Sequence, residues 1–440
     1  MHTAVESTNG FIYCHECRDF VYDPTFEGIR SCSNSKKRKA GGPQQAEGDK
    51  RLIANNTTVT PCAATGLRGL YNMGQTCFMS VILQSLVHNP FIRTFYLAEG
   101  HKSGDCAREA CTSCALDDIF TSFFGEEKHE GYGAVQMLQG CWKGGGGLAG
   151  YSQQDAHEYL GFILNSLHAA NTAEDEEPEN GAKRKADRDC DCAVHQTFGG
   201  LLKSTVTCTK CKNITSTLDP FMDLSLDIRN SHNVITKKKK LALTNGTQTT
   251  KEIAPMDLAE CLDRFTAPET LSADSYHCRK CGGAQEARKK LSLARLPPVV
   301  PIHLKRFRHD KGPNGGGSSK VGTRIRFPFS LELAPYATPT PAPTSSNKSS
   351  SSKSNGTIST SPGPPQSTTA AEEPDPTYEL SSVIVHKGKL DNGHYISYSR
   401  QGEEWFRFDD SMVVQVEERE VLAAEAYMLF YVLGEIVGER

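Results

Sequence analysis

A cysteine, a histidine and an aspartate lie in three widely separated segments whose residues fit a thiol-nucleophile site. Cys77 stands in Asn72-Met73-Gly74-Gln75-Thr76-Cys77-Phe78-Met79, His394 in Asp391-Asn392-Gly393-His394-Tyr395, and Asp409 in Trp405-Phe406-Arg407-Phe408-Asp409-Asp410-Ser411. A cysteine nucleophile needs an imidazole to take its proton, and the imidazole needs an acceptor that fixes its tautomer. Asn72 precedes the cysteine on the same turn, and its amide can donate to a developing oxyanion.

Local sequence says how each group is placed. Thr76 is expected to act as an N-cap, making Cys77 the first residue of a helix. A thiol there feels the positive end of the helix dipole, and a neighbouring imidazolium further favours the thiolate. The run from Phe78 to His88 is almost continuously apolar, so the helix should be buried on most sides, and Asn89-Pro90 should end it. Val383-Ile384-Val385 starts a strand, Tyr395-Ile396-Ser397-Tyr398 reads as a second and Trp405-Phe406-Arg407-Phe408 as a third, with Gln401-Gly402 as the turn. In that register Arg400 pairs with Glu403, and His394 directly faces Asp409 on one side of the sheet.

Cysteine and histidine spacing points to metal. Cys208-x-x-Cys211 and Cys278-x-x-Cys281 make a four-thiolate set suited to zinc. His101, Cys106, Cys111 and Cys114 form a compact second set before a helix starting near Leu116. Cys190, Cys192 and His195 give three ligands of a third, with His168 as the natural fourth. About three structural Zn²⁺ ions are expected, none of them catalytic.

Composition narrows the function. The 440 residues can bury a large core, and a net charge of −3 gives no sign of nucleic-acid binding. The basic clusters Lys36–Lys39 and Lys237–Lys240 fall in loops without interleaved aromatics, so no direct reading of nucleic acid is expected, although the first resembles a nuclear address. No apolar run reaches the length of a membrane span, and no secretory signal opens the chain. Sixteen cysteines then suggest metal ligands and a catalytic thiol rather than disulfides.

Residues 33–65 read as a linker, and 172–189, 229–252 and 309–320 as insertions. Residues 337–377, dominated by Pro, Ser and Thr, should be disordered. Tyr151 to Leu167 carries the stripe Ala156, Tyr159, Leu160, Ile163, Leu164 and Leu167, an amphipathic helix with a start signal at Ser152 and Asp155. Strand-like runs follow at Val299–Phe307, Arg324–Leu333, Glu379–His386 and Tyr427–Leu433. Helices first and strands later suit an α+β fold.

The segments around Cys77, His394 and Asp409 resemble the cysteine and histidine boxes of the ubiquitin-specific protease family, from about Gly66 to Leu433. Two further landmarks match, Gln153-Gln154-Asp155-Ala156-His157-Glu158 and Leu304-Lys305-Arg306-Phe307. The resemblance implies a papain-like cysteine protease with a thumb (about 66–205), zinc-bearing fingers (about 206–290) and a palm (about 291–434). It implies Cys77 as nucleophile, His394 as general base, Asp409 as acceptor, Asn72 in the oxyanion hole and Asp410 as an auxiliary. It also implies that Asp155, with Gln153 and Glu158, holds the basic C-terminal tail of ubiquitin. The expected activity is deubiquitination at the C-terminal glycine; a zinc-stabilised but catalytically idle ubiquitin-binding scaffold is the alternative. The two extra metal sets, and Gln196-Thr197-Phe198-Gly199-Gly200 after His195, resemble the subgroup found in the SAGA coactivator. That likeness implies ubiquitinated histone H2B as substrate, adaptor subunits as partners and a nuclear location. Residues 1–32 resemble only the later part of that subgroup's N-terminal zinc finger, so Cys14 and Cys17 are not expected to make a full site, and adaptor docking through it is expected to be incomplete.

Overall fold

The computed structural model describes residues 66–98, 100–125, 128, 130–144, 154–172, 190–228, 255–310, 317–338, 377–389 and 392–434, and four short strands before them, Thr3–Val5, Ile12–Cys14, Asp19–Val21 and Leu52–Ala54. Of the expected insertions 172–189, 229–252 and 337–377, Thr377 opens a strand, while residues 173–189, 229–252 and 339–376 lie outside the described residues. So do Lys36–Lys39, Cys17, Ser152 and Gln153.

The first part of the chain is helical: α1 (Cys77–Val87), α2 (Pro90–Leu97), α3 (Thr112–Phe124), α4 (Val135–Lys143), α5 (Ala156–Asn171) and α6 (Ala193–Phe198). Every residue of α1 is buried, as its unbroken apolar run requires. Helix α1 starts at Cys77 as expected, but the Thr76 side chain does not cap it. The hydroxyl instead accepts from the Met73 N–H at 2.9 Å, closing the turn before the helix. Asn89 ends α1 and starts α2, its side-chain oxygen accepting from the N–H groups of Phe91 and Ile92. Helix α3 begins at Thr112 rather than near Leu116, which puts Cys114 inside its first turn. In α5 the cap is Asp155, whose carboxylate accepts from His157 N–H at 2.7 Å, and all six expected stripe residues are buried.

Strands then build two sheets. The smaller holds β1 (Gly200–Cys208), β2 (Ile214–Phe221), β4 (Glu269–Leu271) and β5 (Ala287–Arg295) in the order β2-β1-β5-β4. The larger takes β3 (Leu224–Asp227), β6 (Val299–Lys305), β9 (Ser330–Glu332), β10 (Thr377–Lys389), β11 (Asn392–Gln401), β12 (Glu404–Asp409), β13 (Met412–Val416) and β14 (Ala426–Leu433). Its nine strands run Leu52–Ala54, β13, β12, β11, β10, β14, β6, β3, with β9 on β10. A separate hairpin joins β7 (Phe307–Asp310) to β8 (Gly317–Lys320), and helix α7 (Leu258–Thr266) precedes β4.

Alternation along the strands divides the core. Ile384, Tyr395 and Phe430 pack with Leu83, Leu86, Phe120 and Ile163 of the helices; Val383, Ile396 and Leu429 point the other way, toward Leu258 and Leu262 of α7. Both faces of the sheet are thereby covered, and its central strands read as continuous apolar runs.

Three expectations change. Leu52–Ala54, within the expected linker, adds an edge strand to β13. The ends of the expected insertion 309–320 pair with each other as β7 and β8. The run Arg324–Leu333 is two short strands, Ile325–Arg326 and Ser330–Glu332, because Pro328 between them cannot donate to a ladder. No helix among the described residues is long and apolar enough to cross a membrane.

Candidate active site

The structure brings the three distant segments together. His394 Nε2 lies 2.7 Å from Asp409 Oδ1, and the Cys77 thiol is in hydrogen-bond contact with the same imidazole. Cys77 is the first residue of α1, which packs against β11, the strand that carries His394.

The register that pairs His394 with Asp409 differs from the one counted in the sequence. Gln401 pairs with Glu404 and Arg400 with Trp405, so the turn residues are Gly402 and Glu403. Gly402 has φ +62° and Glu403 has no positive φ, the pattern of a two-residue turn with glycine first; a Gln401-Gly402 turn would need a positive φ at Gln401, which it lacks. The displacement is two residues. Being even, it keeps both side chains on one face, and His394 and Asp409 meet diagonally rather than head-on.

Asp410 welds the acidic turn to the cysteine loop. Its carbonyl accepts from Leu70 N–H at 2.9 Å, and its carboxylate accepts from the Asn72 amide at 3.3 Å. The same carboxylate lies 3.9 Å from His394 Nε2. Asn72 Oδ1 in turn accepts from the N–H groups of Gly74 (3.2 Å) and Thr76 (2.9 Å), so one asparagine holds both the loop and the acid. Burial opposes charge on His394, but the Asp410 charge, the hydrogen bond to Asp409 and the contact with Cys77 outweigh it and hold its pKa well above the ordinary histidine value. Burial would raise Asp409; the His394 hydrogen bond and charge prevail and hold it below the usual carboxylate range.

Asp155, at the mouth of α5, accepts from the Tyr427 hydroxyl through both oxygens, at 2.6 and 2.7 Å. Burial pushes the Tyr427 and Tyr395 hydroxyls far up, so both keep their protons. Glu158 is exposed on the first turn of the same helix. Tyr427 was not foreseen, since inside an apolar strand it reads as core. Arg306 is a buried tie: Nε donates to the Ala426 carbonyl at 2.6 Å, and Nη1 to those of Val321 and Thr323 at 3.0 and 2.8 Å. The Leu304–Phe307 landmark therefore marks a structural joint.

A family model described as ubiquitin carboxyl-terminal hydrolase matches residues 68–431, a span that holds all of these groups. The chain belongs to this family. Human ubiquitin carboxyl-terminal hydrolase 22 is 33% identical over 97% of this chain and 79% of its own length; Saccharomyces cerevisiae ubiquitin carboxyl-terminal hydrolase 8 is 32% identical over 98% and 82%. Two solved structures of the SAGA module Ubp8/Sgf11/Sus1/Sgf73, one bound to monoubiquitin and one to ubiquitin aldehyde, match with a TM-score of 0.61. Identities are 31% and 33%, and coverage is 98% of this chain and 80% of theirs.

This ubiquitin carboxyl-terminal hydrolase also gathers all twelve expected metal-ligand residues into the three expected sets: His101, Cys106, Cys111 and Cys114; His168, Cys190, Cys192 and His195; Cys208, Cys211, Cys278 and Cys281. Within each set the ligand atoms lie inside 4.8 Å of one another. A tetrahedral ion with bonds of about 2.3 Å to sulfur and about 2.0 Å to nitrogen implies edges of about 3.5–3.8 Å. The hydrolase shows Cys208···Cys281 at 3.9 Å, Cys211···Cys278 at 3.5 Å, His168 Nδ1···Cys190 at 3.6 Å and His101 Nε2···Cys111 at 3.8 Å. The four thiols of the last set also perturb one another. The Cys281 N–H pulls the Cys278 thiol down to about 6, while contact with Cys211 pushes Cys281 up to about 12. Four such sulfurs cannot all ionise together unaided.

Proposed function

We propose that this hydrolase cleaves the isopeptide or thioester bond at the C-terminal glycine of ubiquitin by thiol chemistry at Cys77, and that its physiological substrate is monoubiquitinated histone H2B within a SAGA-type assembly. The observation that carries the reading is the 2.7 Å contact of His394 with Asp409 beside a cysteine that opens a buried helix.

His394 takes the thiol proton, and the sulfur adds to the carbonyl carbon. The oxyanion develops against the N-terminus of α1, where the Asn72 N–H not directed at Asp410 can donate to it. Collapse expels the lysine amine, which takes the proton from His394. Water, with His394 again as base, then cleaves the thioester. Asp409 keeps the imidazole in one tautomer throughout.

Asp155, with Gln153 and Glu158, receives the basic tail of the substrate. The position of these acids at a helix start supports the assignment less than the paired grip of Tyr427 on Asp155, which presents a fixed carboxylate. Zinc occupies the three ligand sets and cross-links chain segments; no step of the reaction passes through it. Relatives solved together with Sgf11, Sus1 and Sgf73 support small adaptor subunits of the same kind as partners, and work on chromatin makes the nucleus the site of action.

The test is reaction with ubiquitin carrying a C-terminal electrophile, with and without adaptor subunits. A covalent adduct that disappears in Cys77→Ala is expected. Ubiquitin binding without any adduct under either condition would establish the idle-scaffold alternative instead.

A further inference from the structure

Six residues close a circuit that includes the Asp155 carboxylate, five links through side chains and one through the His157 backbone. His157 is held at both ends: its backbone N–H donates to Asp155 at 2.7 Å, and its ring Nε2 lies 2.9 Å from Asp223 Oδ2 in the turn between β2 and β3. Ser225 of β3 donates to that same oxygen at 3.1 Å and lies 2.9 Å from Nδ1 of His303, its register partner across the parallel β3–β6 ladder. The His303 ring stacks on His157 with centroids 3.9 Å apart and planes at 16°, and meets Tyr427 edge-on at 5.1 Å. Tyr427 returns to Asp155 through its hydroxyl. The protons are self-consistent. Ser225 donates to Asp223, so His303 must carry its proton on Nδ1 and donate to Ser225 Oγ.

We propose that His157 and His303 are positioning residues that set the Asp155 carboxylate for the basic tail of ubiquitin, so that substrate affinity, rather than turnover, follows the charge on His157. The inference rests on the assignment of Asp155 to tail binding made above.

Around the stacked rings stand Asp155 and Glu158 on α5, Asp223 in the turn, Lys305 on β6 and Tyr427 on β14. Burial would lower His157, but the hydrogen bond and charge of Asp223, helped by Asp155 and Glu158, hold it above the ordinary value. Burial, then the charge of His157, pushes His303 down to about 3, and it stays neutral. The stack thus joins one charged and one neutral imidazole. Because the pKa of His157 is raised, its ion pair with Asp223 is complete below the ordinary histidine value and is lost as pH rises through the raised one. On the acid side the pair survives until Asp223 protonates, below the usual carboxylate range. Alkaline conditions therefore leave a neutral hydrogen bond in place of the ion pair, a weaker tether on the first turn of α5 and on Asp155.

The experiment measures the Kd of ubiquitin for the full chain carrying Cys77→Ala from about pH 6 to about pH 9, with kcat and KM for a ubiquitin C-terminal fluorophore substrate on the Cys77 chain. Kd should rise about fivefold toward alkaline pH, the scale of one partly exposed ion pair. His157→Gln keeps an N–H for Asp223 but cannot titrate; its Kd profile should be flat and its kcat within about twofold of the parent. His303→Asn keeps a donor for Ser225 and removes the stacked ring; its Kd should rise severalfold at every pH. A His157→Gln chain that keeps the parental slope overturns the inference, and so does an unchanged Kd in His303→Asn, which decides the matter if His157→Gln does not fold. A parent chain that binds no ubiquitin at any pH overturns the tail-binding assignment itself, a result distinct from binding with an unaltered slope.

Discussion

Gly393→Ala should cripple the enzyme without touching any group that does chemistry. An ideal Cβ at Gly393 falls 2.1 Å from His386 Nε2, 2.4 Å from its Cε1 and 2.5 Å from the Lys387 carbonyl oxygen. The carbonyl belongs to the paired strand β10 and cannot turn away. The His386 ring has little more freedom: it is 1% exposed and lies against Phe307 at 5.0 Å and Tyr395 at 4.6 Å. Ordinary contact needs about 3.4 Å or more, so β11 must retreat by about 1 Å next to His394. Overpacking of this kind costs about 1–3 kcal/mol of stability. Misplacing a reacting group by about 1 Å costs about 100-fold in rate. The assay is kcat/KM on a ubiquitin fluorophore substrate, with thermal unfolding of the same sample and ubiquitin binding in the Cys77→Ala background. The expected pattern is a kcat lower by about two orders of magnitude in a chain that is folded and still binds. Adding His386→Ala should restore only part of the stability, since the Lys387 carbonyl remains. Activity within about threefold of the parent would refute the argument, because β11 would then tolerate a displacement that the 2.7 Å His394–Asp409 contact should not.

Cys77→Ala should abolish hydrolysis and leave ubiquitin affinity within a few-fold in a direct binding titration, the loss of turnover amounting to several orders of magnitude because triad members act as a unit. Asp409→Asn should lower the His394 pKa and reduce stability only within a window. The advantage of the parent should vanish as pH falls through the depressed Asp409 value and again as it rises through the elevated His394 value, as read from denaturant melts at stepped pH. Cys192→Ser should lower bound zinc by about one ion per chain by elemental analysis while Cys77 stays reactive toward small alkylating agents at first; full zinc content would break the assignment of the third ligand set.

The chemistry was legible because its residue types are unusual. Runs such as Cys208-x-x-Cys211 have few other uses in this composition; spacing points to the ligand sets, the family resemblance supports joining the two Cys-x-x-Cys pairs, and the end of a helix supplies His168. Helix α1 was legible because an apolar run ended by Asn89-Pro90 permits little else. Long-range geometry was not. The His394–Asp409 register lies two residues from the count because the count places Gly402 second in its turn, and residue types do not say whether that glycine stands first or second; the backbone sign at Gln401 does. The Tyr427 hydroxyl and the His157–Asp223 pair carry no local mark in the sequence, because a tyrosine in an apolar strand and a histidine on a helix do not announce partners that stand at the start of α5 and in the turn before β3. Thr76 had the right place for a cap but a better partner in Met73, a competition between two short contacts that residue type does not resolve.

Strand β14, the last strand in chain order among those described, lies inside the sheet, between β10 and β6. Its position has a consequence for synthesis. From Cys77 to Asp409 is 409 − 77 = 332 positions, which at roughly 5–20 residues per second takes about 17–66 s. During that time the helix bearing the nucleophile can be made but the groups that activate it cannot, and the sheet on which they stand has a gap where β14 will sit. A chain interrupted between Lys389 and Ala426 is left with two unpaired inner edges, on β10 and β6, a species for chaperones and degradation. A ribosome that stalls late therefore does not release a partly competent protease into the cell. The groups that activate Cys77 gain a closed sheet beneath them only once β14 has been made.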